Sequence, residues 1–217
     1  MKFARIPAGG RTVLPIAVTV ALFGVSFGVL ARAADMGVVA PIVMSATTFA
    51  GSSQFAVASI LDEGGGIVAA IVAALLLNAR YAAIGVSVAP LFRGSRLRRL
   101  LESQLIVDES WALSARSDGT FDRRILLGAG LMLYAGWVLG TAVGVLGGGF
   151  LGDPERFGLD AAFPALFLAL LVGQLHTRRA VAAALAGGAI ALVLLPFTPP
   201  GVPIIVAVLG CLVGFRR

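Results

Sequence analysis

The chain has 217 residues, of which 59% are hydrophobic and only 13% are charged. Its mean hydropathy of +0.98 and its small charged share exclude an ordinary soluble domain, in which about a quarter of the residues carry charge. The net charge of +6 does not indicate nucleic-acid binding, because the arginines cluster at the ends of apolar runs, where they set topology and meet anionic lipid. We therefore predict an all-α, polytopic membrane protein with a single transmembrane domain over residues 1–217.

The first apolar run covers residues 13–30 and follows a basic N-terminal stretch. The run is longer than the apolar part of a typical signal peptide, and it contains Gly24 and Gly28 at a spacing that lets helices pack closely. We therefore expect an uncleaved first span whose N-terminal end is cytoplasmic.

An unusually polar stretch follows within residues 38–61, and its centre reads Ser45-Ala46-Thr47-Thr48-Phe49-Ala50-Gly51-Ser52-Ser53-Gln54-Phe55. Hydroxyl and amide groups stranded in lipid cost on the order of several kcal/mol, so they should face protein, water or a ligand. Gly51 permits a sharp turn, and the two serines after it are good helix N-caps, which predicts an interrupted helix. The N–H groups at such a helix start can bind a carboxylate. The alternative is that small hydroxylated residues only let helices pack closely.

The charge distribution predicts that residues 38–61 enter the membrane and return without crossing it. If they crossed, the arginine-rich segment after the next span would lie outside, against the positive-inside rule. With a re-entrant path, Asp62 and Glu63 are outside and residues 91–124 are cytoplasmic. We therefore expect about six spans plus one re-entrant or broken helix, with both termini cytoplasmic. A full crossing of residues 38–61 is the alternative.

The apolar run over residues 67–89 carries Asn78, Arg80 and Tyr81 deep within it. At 1.5 Å per residue, Arg80 lies roughly 15 Å from the cytoplasmic end, near the middle of the membrane. An arginine at that depth costs about 2.5–3.5 kcal/mol on the insertion scale and should have a partner. We interpret it as functional or as paired with a functional group, whereas the alternative is a structural arginine bound to carbonyl groups.

Residues 91–124 form a basic, hydrophilic segment. Its first part places leucines among arginines, which predicts an amphipathic helix on anionic lipid at the membrane surface. Asp108 and Glu109 come next. They are either a solvated acidic turn or carboxylates at the inner mouth that pair with Arg80 or gate the site.

The following apolar run, 125–150, has a glycine at every fourth position, namely Gly136, Gly140, Gly144 and Gly148. Small residues at this spacing form one smooth helix face, which indicates a packing seam against another span or another subunit.

The last third of the chain has three shorter apolar runs, 161–175, 180–196 and 202–215. The single Cys211 and the single His176 offer neither an internal disulfide nor a metal site. No phosphate-binding loop or zinc-protease motif occurs, and no G-x-S-x-G motif surrounds Ser52 or Ser53. We therefore expect no enzyme activity, no metal and no cofactor.

Three motifs, in this order along a small apolar chain, resemble the AzlC family of branched-chain amino acid exporters: Phe49-Ala50-Gly51-Ser52-Ser53-Gln54-Phe55, Asn78-Ala79-Arg80-Tyr81 and Asp108-Glu109-Ser110. The resemblance covers nearly the whole chain. It implies a permease domain that exports leucine, isoleucine and valine, or similar small apolar amino acids, across a bacterial cytoplasmic membrane. It also implies a small AzlD-type membrane subunit as a partner.

The roles of individual residues follow from the physical chemistry of the polar groups. We predict a substrate site made of Gly51, Ser52, Ser53, Gln54, Asn78, Arg80 and Tyr81, with Asp108 and Glu109 in gating or coupling. Backbone N–H groups at the start of the predicted helix would hold the substrate carboxylate. The predicted mechanism is alternating access, and the alternative is a non-transporting membrane subunit or a channel-like pore.

Overall fold

The computed structural model describes residues 10–116, 118–151, 168, 171–172, 175–199 and 201–215. The regular elements of these residues are helices, with one isolated antiparallel bridge between Ala115 and Phe121, so the all-α prediction is confirmed. In chain order the helices are α1 (Gly10–Ala33), α2 (Val39–Thr47), α3 (Gly51–Asp62), α4 (Ile67–Asn78), α5 (Arg80–Val88), α6 (Arg96–Ser103), α7 (Asp108–Ser114), α8 (Arg123–Leu151), α9 (Arg178–Leu194), α10 (Val202–Ala207) and α11 (Cys211–Phe215).

Three helical stretches of the described residues are long and apolar enough to cross a membrane: Val13–Ala33, Ile67–Leu91 and Arg123–Gly148. They contain 21, 25 and 26 residues, and a helix needs about 20 residues to cross a hydrocarbon core of about 30 Å. A shorter apolar helical stretch covers Val202–Gly214. Most of the predicted span over 161–175 lies outside the described residues.

The glycine stripe of α8 packs against α1. A Cβ atom at Gly24 of α1 would lie 2.6 Å from the backbone oxygen of Trp137, and Cβ atoms at Gly140 or Gly144 would collide with backbone oxygens of α1. Only glycine lets the two backbones approach this closely. The predicted packing seam is therefore confirmed, and α1 is the helix that fills it.

Helices α1 and α8 run parallel to each other. Ala17 contacts Gly136, Ala21 contacts Gly140 and Val25 contacts Gly144, so the contacts advance by one turn at a time along both helices. Because the contacts advance in the same direction, both helices begin on the same side of the membrane. The end of the 91–124 segment, which leads into α8, therefore lies on the side where α1 begins. The assignment of that side to the cytoplasm stays a prediction.

Residues 39–62 form a helical hairpin that is broken at its tip. Its arms have nine and 12 residues, so each is only about half as long as the hydrocarbon core is thick. Between them, Phe49 has a φ of 43°, a left-handed conformation that is uncommon for a residue with a side chain. Gln54 Nε2 on α3 donates to Ser45 Oγ on α2 at 2.8 Å, so a buried hydrogen bond joins the two arms close to the tip.

The path of the chain supports a re-entrant hairpin. Helix α1 crosses the membrane and ends on the side opposite to the one where it begins, and α2 begins on that side only a few residues later. After α3, the span Ile67–Leu91 brings the chain back to α6 and α7. The loop between these two helices lies near the start of α8, where the backbone oxygen of Leu105 touches Gly130. The hairpin thus starts and ends on the same side, which favours the re-entrant path over a full crossing of residues 38–61.

An aromatic cluster fixes the hairpin against α1 and α8. Phe27 stacks on Trp137 with ring centroids 6.0 Å apart. Phe55 of α3 meets both rings edge-on, at 5.7 Å and 5.8 Å. Such pairs contribute about 0.5–1.5 kcal/mol beyond their burial, so the start of α3 is held at a defined depth beside α8.

Candidate functional site

Two helix interruptions lie next to each other inside the protein. One is the tip of the hairpin. The other divides the span Ile67–Leu91, where the N–H of Ala79 bonds to the carbonyl of Leu76 at 3.2 Å instead of continuing the α-helical pattern. The two interruptions are joined by Arg80, whose Nη2 donates to Ser52 Oγ at 2.9 Å.

Arg80 is held by an acidic side chain, a backbone carbonyl and an aromatic ring. Its Nε and Nη2 atoms lie 3.0 Å and 2.9 Å from Oδ2 of Asp108. Its Nη1 donates to the carbonyl of Leu77 at 3.2 Å, and its guanidinium carbon lies 5.0 Å from the centre of the Tyr81 ring. Both interpretations of this arginine therefore describe part of its surroundings, but the carboxylate is its charged partner.

The ion pair between Arg80 and Asp108 is accessible. The two side chains are 37% and 46% exposed, and pairs with such exposure contribute only about 0–1 kcal/mol to stability. Both nitrogen contacts go to one carboxylate oxygen, and within the described residues no donor reaches the other oxygen, Oδ1. The pair therefore adds little to the stability of the fold, and its charged groups are open to a ligand in the space around them.

The ion pair lies in a pocket of about 680 Å³, within the range of about 300–1,000 Å³ that is usual for ligand sites. The polar side chains of its lining are Ser52, Arg80, Tyr81, Asp108 and Glu109. Its apolar lining includes Val20, Phe23, Phe49, Phe55, Leu133 and Trp137. A charged part and a largely aromatic wall thus share one cavity.

The first turn of α3 borders this pocket through Gly51 and Ser52. The first N–H groups of a helix have no acceptor within it, and the first such bond of α3 runs from Gln54 N to the carbonyl of Ala50 at 3.0 Å. The positive end of the helix dipole therefore lies beside the same cavity as the guanidinium of Arg80.

Ser53 and Gln54 are fully buried and do not border the pocket. Ser53 Oγ donates to the carbonyl of Ala50 at 2.8 Å. Gln54 Oε1 accepts from the N–H of Ala50 at 3.1 Å and from Trp137 Nε1 at 2.9 Å. In this conformation both side chains bind the protein itself, and their predicted contact with a substrate stays a prediction.

Asn78 and Tyr81 lie on the two sides of the second interruption. Tyr81 borders the pocket, whereas Asn78 does not. Asn78 Oδ1 is buried, and no donor of the described residues reaches it. The predicted place of Asn78 in the substrate site is not tested by this geometry.

Asp108 and Glu109 form the start of α7 and border the pocket. The helix is capped by Ser110, whose Oγ accepts from the N–H of Val107 at 2.9 Å. Of the two interpretations of this acidic pair, pairing with Arg80 describes Asp108, whereas Glu109 is exposed and makes no ion pair among the described residues. The coupling role of both carboxylates stays a prediction.

The carboxyl group of Glu109 has an unusual environment. Its side chain borders the pocket and keeps an exposed surface, although protein atoms surround the carboxyl group itself. Burial therefore raises the pKa of Glu109 above its ordinary value, and the negative charge of Asp108 raises it further, while the backbone N–H and Arg80 oppose the shift. A proton is held more tightly here than on a free glutamate.

Sequence reasoning missed three residues that shape the site. Trp111 borders the pocket and stands one helical turn after Asp108, a spacing that was available as a signal. Thr141 binds Ser45 Oγ at 2.8 Å, and Trp137 forms part of the pocket wall. Both belong to α8, and only their position beside the packing glycines could have indicated that they face the protein interior.

The fold and the pocket define a polytopic helical membrane protein in which interrupted helices surround a charged cavity, an arrangement known from secondary transporters. Among the described residues, no group of three or more His, Cys, Asp or Glu side chains could hold a metal ion. The family follows from comparison with known proteins.

The chain belongs to the AzlC family, because the family model described as AzlC protein matches residues 15–151, which include every residue that borders the pocket. It is 36% identical over 77% of its length to an uncharacterized membrane protein of Archaeoglobus fulgidus, 74% of which is covered. It is 26% identical over its full length to the branched-chain amino acid transport protein AzlC of Bacillus subtilis, 89% of which is covered. The inner membrane protein YgaZ of Escherichia coli is 25% identical over 96% of this chain and 89% of its own length. No solved structure matches the chain.

Proposed function

We propose that this protein is a secondary transporter, not an enzyme, that exports branched-chain or similar small apolar amino acids across a bacterial cytoplasmic membrane. The AzlC family and the name of the Bacillus subtilis relative support a role in membrane transport. The observation that supports apolar amino acids as the substrate is the pocket itself, in which charged groups of both signs lie beside an aromatic wall. A free apolar amino acid has the same combination of charges and apolar surface.

The substrate carboxylate binds at the start of α3. Gly51 and Ser52 border the pocket there, and their N–H groups have no acceptor within the helix. Arg80 adds a full positive charge and already contacts Ser52 at 2.9 Å. Broken helices in secondary transporters receive anionic substrate groups in this way.

The substrate side chain lies against the apolar wall of the pocket. Its aromatic members include Phe23, Phe49 and Phe55, which offer apolar surface without a hydrogen-bonding group. Each methylene in such a pocket discriminates by only about 1–3 kcal/mol. Leucine, isoleucine and valine are therefore separated weakly, and the protein has a broad specificity.

Export proceeds by alternating access. The side of the membrane on which α1 begins, and on which residues 91–124 lie, is the cytoplasmic side. A small AzlD-type subunit works together with the chain. The three described spans carry no Asp or Glu. The carboxylates at the pocket come from α7 instead, so Asp108 and Glu109 are the candidates for coupling transport to protons.

The experiment that tests this function measures efflux of radiolabelled leucine from preloaded cells that express the chain with and without the small subunit. A transporter gives efflux that saturates with internal leucine and is accelerated by external unlabelled leucine. A flux that rises linearly with concentration indicates a pore. The proposal fails if expression of both chains adds no efflux to that of control cells.

A further inference from the structure

We infer that the Arg80–Asp108 ion pair is a closing contact which the substrate itself replaces, so that only a ligand with both an ammonium and a carboxylate group separates α5 from α7. The carboxylate takes over Arg80, and the ammonium takes over Asp108. This inference rests on the proposed function, since it concerns how the same pocket recognises its amino acid.

The first support is the geometry of the pair. Both charged groups border the pocket, and their side chains are 37% and 46% exposed, so a ligand can reach them. Arg80 uses only Oδ2 of Asp108, which leaves Oδ1 for an incoming ammonium. The bond from Arg80 to Ser52 keeps the guanidinium beside the start of α3, where the carboxylate binds.

The second support is the way in which α7 is attached. This helix packs along α8, whereas α5 and α7 have no comparable packing contact. Their described polar contacts are the Arg80–Asp108 pair and a hydrogen bond of 2.9 Å from Trp111 Nε1 to Ser87 Oγ. Helices that are joined through side chains alone can separate without disrupting a packed core, so the boundary between α5 and α7 is the one that opens.

The third support is the balance of charges. Breaking the pair without replacement leaves two partly desolvated charges without partners, which is unfavourable. A ligand that carries only a carboxylate satisfies Arg80 but leaves Asp108 unpaired, and an amine does the opposite. A zwitterion satisfies both groups at once, so the pair selects for free α-amino acids.

The test compares three ligands that share one branched side chain: leucine, 4-methylpentanoate, which lacks the ammonium, and 3-methylbutylamine, which lacks the carboxylate. Binding is measured on the purified protein in lipid nanodiscs. We expect wild type to prefer leucine over either analogue by about tenfold or more, the value of one charge-assisted hydrogen bond. Asp108→Asn should bind leucine more weakly and 4-methylpentanoate more tightly, because Arg80 is then free of its competing carboxylate.

The opening is measured separately by the distance between spin labels at Val86→Cys on α5 and Ala115→Cys after α7, in a Cys211→Ser background. We expect leucine, but neither analogue, to lengthen this distance. Asp122→Asn is the matched control, because it removes the ion pair with Arg116 in the same segment but outside the pocket. It should leave the ligand preference unchanged.

The outcomes separate this inference from the proposed function. If wild type binds none of the three ligands and transports no leucine, the proposed function fails together with the inference. If wild type binds leucine but Asp108→Asn keeps the wild-type preference, the inference is overturned while the function stands. A label distance that leucine leaves unchanged overturns it as well.

Discussion

Trp137 Nε1 donates a hydrogen bond of 2.9 Å to Gln54 Oε1, which ties the long helix α8 to the hairpin arm that borders the pocket. The bond belongs to a buried chain of polar groups in which Gln54 donates to Ser45, Ser45 meets Thr141, and Thr141 donates back to the carbonyl of Trp137. Such closed networks leave little freedom of orientation. The tip of the hairpin is therefore positioned by a network in which Ser45, Gln54 and Thr141 lie outside the pocket lining, while Trp137 forms part of its wall.

We expect Gln54→Leu to lower the stability of the protein. The change keeps an apolar volume but leaves the buried Trp137 N–H and the N–H of Ala50 without an acceptor, at a cost of about 1–3 kcal/mol for each orphaned group. The measurement is the apparent melting temperature in detergent. Thr19→Val serves as the control, since among the described residues Thr19 bonds to Pro15 of its own helix alone, and this variant should melt like wild type. Equal melting of all three proteins would contradict the role of the network.

Gly51→Val should stop leucine efflux while the protein still inserts into the membrane. A Cβ atom at this position would already lie 3.1 Å from the Trp137 ring, and the branched side chain would fill the space beside the first turn of α3. Gly85→Val is the matched control, because nothing lies within 4 Å of a Cβ atom there. Wild-type efflux by Gly51→Val would count against the site.

The break in the hairpin and the need of Arg80 for a partner could be predicted from the sequence, because polar and charged groups are costly wherever lipid surrounds them. The direction of each side chain could not. Successive residues of a helix point about 100° apart, so Ser52 reaches the pocket while Ser53 and Gln54 turn inward. That rotation is set by Trp137 on α8, more than 80 positions away, and no local pattern encodes such a contact.

Helix α6 has an exposed leucine face and several arginines, which predicts that it binds the surface of an anionic membrane. Leu97, Leu100 and Leu101 are 63–67% exposed and share one side of the helix, whereas Glu102 on the other side is already paired with Arg98 and Arg123. The remaining arginines of α6 are therefore available to lipid phosphates, and we propose that this helix lies on the anionic inner leaflet.

A fluorophore on Leu100→Cys, with Cys211 replaced by serine, should be quenched by lipids with brominated chains. The same fluorophore on Arg99→Cys, on the opposite face, should be quenched much less. Quenching at Leu100 should also increase when phosphatidylglycerol replaces part of a neutral bilayer, because arginines attract anionic head groups by about 1 kcal/mol each. Equal quenching at both positions would exclude a surface-bound helix.

The topology predicts which positions a membrane-impermeant thiol reagent reaches from each side. In a Cys211→Ser background, Asp62→Cys should react from outside the cell, and Ser95→Cys should react only after the membrane is opened. Both follow from a hairpin that starts and ends on one side, while α1 and α8 begin on the other. Labelling of Asp62→Cys only from the cytoplasmic side would contradict the re-entrant topology.

Arg80 and Glu109 should have separable roles in transport. Arg80→Ala removes the partner of the substrate carboxylate and leaves Asp108 unpaired, so we expect efflux to be lost under every driving force. Glu109 is different, because its pKa is raised by burial and by the neighbouring charge of Asp108. As the pH falls through this raised pKa, Glu109 becomes neutral and attracts the substrate ammonium less. Leucine affinity should therefore fall on the acidic side of that pKa.

This sign of the pH effect fits export that is driven by proton entry, since a proton arriving from an acidic exterior weakens the hold on leucine and favours its release. Glu109→Gln fixes the neutral form, so its leucine affinity should be independent of pH over this range, and a pH gradient should no longer accelerate its efflux. Its efflux down a steep leucine gradient should persist. The measurement is leucine counterflow in proteoliposomes at two pH values, with and without an imposed pH gradient. If Glu109→Gln and Asp108→Asn each keep the full gradient effect in the isolated chain, protons are coupled through another group.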